Sequence, residues 1–135
     1  MLQTLQTYGI ALATFLLLDI IWLNIAAKDL YKRALGDYQA TDPKLLVMLL
    51  LYVILVAALT YFVIWPARRT KDLSMTLIRA AIFGAVCYAT LNLTNLATLK
   101  DWPAGMVVID IIWGAVLTTA VTGITLNLTQ RFKRK

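Results

Sequence analysis

The sequence contains no histidine and no glutamate, and it has one cysteine. Without histidine, no imidazole can ligate a metal or carry a proton near neutral pH. A lone Cys87 excludes an intrachain disulfide, and its place inside an apolar run fits a buried structural thiol. All seven acidic residues are aspartates. The net charge of +6 would suit a nucleic-acid partner, but there is no basic stripe interleaved with aromatics. Basic residues stand instead beside long apolar segments, where lipid headgroups are the natural counterpart.

Apolar side chains are abundant. They make up 61% of the 135 residues, against about 45–50% in a soluble domain. One domain is expected at this length. A hydrocarbon core of about 30 Å needs about 20 helical residues, and four segments qualify: about 5–25, 45–65, 77–98 and 105–128. The expected fold class is therefore all-α, a four-helix transmembrane bundle. The first segment is read as a retained helix and not a cleaved signal, because no Lys or Arg precedes it and Asp19 interrupts it. Asp42-Pro43, Ser74 and Asp101-Trp102-Pro103 mark helix starts, and Trp65-Pro66 marks the end of the second helix.

Orientation follows from the basic residues. With the N-terminus inside, Arg68, Arg69, Lys71, Arg79, Arg131, Lys133, Arg134 and Lys135 are cytoplasmic, eight in all. Lys28, Lys32, Arg33, Lys44 and Lys100, five in all, are outside. This favours N-in/C-in in the inner (plasma) membrane. Loop 26–44 is the only long one. Leu30, Tyr31, Leu35 and Tyr38 are spaced for a short amphipathic helix on the membrane surface, with a solvated loop as the alternative.

Charges within the spans are costly and mark candidate sites. Asp19 lies near the outer end of the first helix and Asp110 near the outer start of the fourth. At about 1.5 Å per residue both sit roughly 8–9 Å below the outer boundary. Tyr88, Asn92 and Asn95 share one face of the third helix, and Tyr52 of the second stands at similar height. Each aspartate has a tryptophan at i+3, in Asp19-Ile20-Ile21-Trp22 and Asp110-Ile111-Ile112-Trp113. Ala81, Gly84, Ala85 and Gly114 suit close helix packing, and Asn24 points away from Asp19 and suits a helix end.

These residues resemble the family of bacterial membrane proteins called domain of unknown function 2177. Its first-helix pattern Leu-Asp-x-x-Trp-Leu matches Leu18-Asp19-Ile20-Ile21-Trp22-Leu23, followed here by Leu30-Tyr31. The run Tyr88-Ala89-Thr90-Leu91-Asn92-Leu93-Thr94-Asn95-Leu96-Ala97-Thr98-Leu99 precedes Trp102-Pro103, and Asp110-Ile111-Ile112-Trp113-Gly114 matches the fourth helix. The resemblance implies four membrane helices and brings no established activity. Where the family pattern has a third aspartate this chain has Asn92, so a mechanism needing three carboxylates does not carry over.

The expected function is binding of a small or lipid-like molecule in the outer half of the bundle. Asp19 and Asp110 supply charge and, in a catalytic version, an acid and a base. Trp22, Tyr88, Asn92, Asn95 and Trp113 shape the pocket. No soft metal is expected; a hard divalent cation among the oxygens is the minority version. No cofactor is specified, and membrane lipid is the expected partner. The alternatives are a small transporter, proton-coupled in one version, and a structural or assembly subunit whose polar cluster only locks the helices.

Overall fold

The computed structural model describes residues 1–38, 41–70 and 72–133. Four of its helices are long and apolar enough to cross a membrane. Hydrocarbon offers the backbone no hydrogen bonds, so each span must bond internally. The elements are α1 (Leu2–Ala26), α2 (Lys28–Leu35), α3 (Leu45–Ala67), α4 (Leu73–Thr98) and α5 (Ala104–Lys133). A single 3-10 turn, Gly36–Tyr38, follows α2.

α1 starts three residues before 5 and α5 ends five residues past 128, and two inner boundaries also differ from expectation. α4 begins four residues before 77, and its cap is Asp72 instead of Ser74: the Asp72 carboxylate accepts from the Met75 N–H at 2.9 Å. An aspartate also suits the positive end of the helix dipole. α3 does not stop at Trp65-Pro66 but runs through Pro66 to Ala67. The turn before it, Thr60–Ile64, is wound as π-helix, and such a widened turn carries the chain past a residue that cannot donate a backbone hydrogen bond. Loop 26–44 contains the amphipathic helix: α2 has Asp29 in its first turn and Lys32 and Arg33 in its last, the order the dipole favours.

α4 and α5 form the tightest pair. Gly84 faces Gly114, and the Thr118 hydroxyl crosses the contact to the Ala80 carbonyl at 2.7 Å while also meeting the Gly114 carbonyl at 2.8 Å. α1 packs on α5, and α3 lies along α1. α3 reaches α4 and α5 through its Thr60–Ile64 turn. Its opposite end differs, because Leu45 to Leu51 are all exposed, which is lipid-facing surface in a bilayer. Phe15, Val56, Leu59, Ile64 and Leu117, with no exposed surface, fill the centre.

Candidate functional site

Asp19 and Asp110 are both buried, 5% and 8% exposed. Such carboxylates need donors, and here the donors come from other helices. One Asp19 oxygen accepts from the Tyr52 hydroxyl of α3 at 2.6 Å, and the other from the Trp113 indole N–H of α5 at 3.1 Å. Asp19 therefore ties α1 to two further spans. Asp110 accepts from the Tyr31 hydroxyl, which belongs to α2 and so lies outside the spans.

The two tryptophans meet across the α1–α5 contact. Trp22 and Trp113 stack with ring centroids 4.3 Å apart and an interplanar angle of 9°. The i+3 spacing places each indole on the side of its own carboxylate, yet the Trp113 N–H serves the aspartate of the other motif. The Trp22 N–H lies near the Tyr31 hydroxyl without an ordinary hydrogen bond to any described residue.

α4 supplies the remaining wall. Asn92 is 1% exposed; its amide donates to the Tyr88 carbonyl at 3.1 Å and faces Asp110. An amide is compatible with that neighbour, whereas a third carboxylate would repel it. Tyr88 stands among Asp19, Tyr31, Tyr52 and Asp110, with its ring against Gly114. Asn95 is half-buried, and no hydrogen bond joins its side chain to either carboxylate among the described residues. Asn24 is exposed and donates to the Ile20 carbonyl at 2.8 Å, satisfying a group in the last turns of α1. Two carboxylates and an amide make a thin set for Mg²⁺ or Ca²⁺, which take six or more oxygens.

Tyr31 is the site residue that sequence reasoning passed over. It was visible only as one apolar-face position of the surface helix and as the tyrosine after the first motif. α2 is held down at its far end as well, since the Tyr38 hydroxyl donates to the Lys100 carbonyl and its ring packs on Trp102 at 5.1 Å. Burial, and then the bond to Asp110, hold the Tyr31 hydroxyl well above the ordinary tyrosine range. A raised value means that the folded state keeps this proton more tightly than the unfolded chain. The stabilisation is then fully present below about pH 10, the unfolded value, and is lost as pH rises through the folded one. Thermal unfolding of wild type and Tyr31→Phe should therefore differ clearly at about pH 9, below the tyrosine range. The difference should shrink in strong alkali; a difference that persists undiminished there would contradict the Tyr31–Asp110 contact.

Comparison with known proteins agrees with the fold. The family described as predicted membrane protein (DUF2177) matches residues 4–127. No curated protein and no solved structure gives a significant match. The match takes in all of α1 to α4 but for the first two residues, and most of α5. The chain belongs to the DUF2177 family of membrane proteins.

Proposed function

We propose that the polar cluster is a ligand site centred on Asp110, with α2 as its cover. The ligand is a small or lipid-like molecule that presents a hydrogen-bond donor or a positive group. The N-in/C-in orientation puts the site in the outer half of the inner membrane. The observation that carries this reading is the unequal anchoring of the two carboxylates. Asp19 takes its donors from α3 and α5, within the bundle, whereas Asp110 takes its tyrosine from a short surface helix. Lifting α2 exchanges Tyr31 for a donor of the ligand at no cost to the contacts between spans. Trp22 and Trp113 then provide an apolar wall, and Asn92 an amide, the mixture that ligand sites generally have. The fully buried Phe15, Val56 and Leu117 close the bundle next to the cluster, which favours held ligand over a continuous path.

A second reading has its own observation. Asp19 saturates both oxygens with interhelical bonds, as a purely structural lock would. The two readings divide between the two aspartates. Native mass spectrometry of protein released from mild detergent tests the first one. Wild type should carry an added mass that Asp110→Asn loses while its helical content and elution volume stay unchanged. Bare protein in both samples with unchanged folding would leave the lock or transport of a weakly held substrate, and an unfolded Asp110→Asn would leave only the lock.

A further inference from the structure

At the end of the bundle that carries the N-terminus, far from the aspartates, the facing sides of α1 and α3 leave space. Between them lies an open groove of about 500 Å³, walled by Leu5 and Tyr8 of α1 and by Ala57, Thr60, Tyr61 and Trp65 of α3. The wall is almost entirely apolar. The Tyr8 hydroxyl is already engaged by the Val53 carbonyl at 3.0 Å, which leaves its ring as surface. From Ala57 to Trp65 the groove follows about 12 Å of helix. That is two turns, short for a second helix and suited to a hydrocarbon chain.

The end of α3 beside the groove is basic. The Arg68 guanidinium lies 4.8 Å from the centre of the Trp65 ring, a cation–π contact that holds the charge at the span end. A second hollow of about 570 Å³ shares Tyr61 and Trp65 and adds Arg69 and Thr70. Trp65 is thus shared: its ring lines the apolar trough, carries Arg68 against it, and borders the hollow of Arg69 and Thr70. Guanidinium matches phosphate oxygens in a fork geometry, and basic pockets between spans on the cytoplasmic side bind anionic headgroups.

We propose that this groove is a binding site for an anionic phospholipid. An acyl chain lies between α1 and α3, and the phosphate meets Arg68 and Arg69. The site is separate from the Asp110 cluster and does not depend on its role. Two features act together: the trough selects for a chain, and the arginines select for negative charge over a zwitterionic headgroup.

The test is native mass spectrometry of delipidated protein titrated with phosphatidylglycerol or with phosphatidylcholine of the same chains. Wild type should retain phosphatidylglycerol in clear excess over phosphatidylcholine. The double variant Arg68→Gln/Arg69→Gln should bring phosphatidylglycerol down to the phosphatidylcholine level. Ala57→Phe, which fills the groove, should lower both. Equal retention of the two lipids by wild type would overturn the proposal, as would a preference that survives in the arginine variant. If the arginine variant does not fold, a folded Ala57→Phe with undiminished phosphatidylglycerol overturns it instead. Asp110→Asn should keep the adduct; its loss there would move the lipid to the aspartate cluster and overturn the assignment to this groove.

Discussion

Gly84→Ala should cost this protein most of its folded population, and Gly84→Val all of it. A Cβ at position 84 would stand 2.1 Å from the Gly114 carbonyl oxygen, 2.2 Å from the Thr118 hydroxyl and 2.7 Å from the Gly114 carbonyl carbon. Side chains can rotate away from such an intruder, but two of these three atoms are backbone. The only relief is to push α4 and α5 apart. Overpacking a core that can yield costs about 1–3 kcal/mol, and a backbone obstruction should exceed that range. Separation also breaks the Thr118–Ala80 hydrogen bond that crosses the contact. Small residues at membrane-helix contacts serve this close approach, and lipid gives no hydrophobic force to restore it. Thermal unfolding and gel filtration in detergent measure the effect. Gly123→Ala is the control, because its Cβ would meet Leu77 Cδ2 at an ordinary 3.7 Å. A Gly84→Ala protein as stable as Gly123→Ala would refute the contact. The site should fail with the fold, since Asp110 and Trp113 lie within the four residues before Gly114 on the same helix.

Much of the architecture was legible because hydrocarbon imposes a simple rule, about 20 apolar residues per crossing. The rule locates the spans but not their ends. The start of α4 depends on which of the two polar residues on either side of Leu73, Asp72 or Ser74, turns its side chain onto a free N–H. The end of α3 depends on how the Thr60–Ile64 turn absorbs Pro66. Asp19 and Asp110 stood out because buried charge in a span is expensive, and matched depth suggested that their helices are neighbours. The packing of α1 on α5 and the Trp22–Trp113 stack agree with that. Partner choice was less accessible. Helical periodicity says which residues share a face but not which helix that face meets. Trp113 therefore pairs with Asp19 and not within its own motif. Tyr31 was harder still, since it reaches Asp110 across 79 positions of sequence. Only the docking of α2, a tertiary event, brings them together.

Asp19→Leu should be the more damaging of two substitutions at that position, with Asp19→Asn between it and wild type. The carboxylate is 5% exposed and accepts from Tyr52 at 2.6 Å and Trp113 at 3.1 Å. Leucine has similar bulk and no acceptor, so it strands two half-buried donors together, the Tyr52 hydroxyl and the Trp113 indole N–H. An interhelical bond in a bilayer is worth only about 0.6 kcal/mol on average, but an unsatisfied buried donor costs about 1–3 kcal/mol. The stranding cost therefore dominates. Asparagine keeps one carbonyl oxygen and turns its NH₂ toward the other donor, so it loses one bond and retains one. The order wild type, Asp19→Asn, Asp19→Leu should appear in the unfolding midpoints. A double-mutant cycle sharpens the test, because Tyr52→Phe removes one of the stranded donors. It should destabilise wild type yet restore part of the loss in Asp19→Leu. Equal midpoints for the two Asp19 variants, or a Tyr52→Phe effect independent of residue 19, would remove Asp19 from any network. With the expected coupling, Asp19 belongs to the framework. An Asp110→Asn protein that folds normally yet loses its ligand would then place the binding function on the other aspartate, whose tyrosine comes from α2.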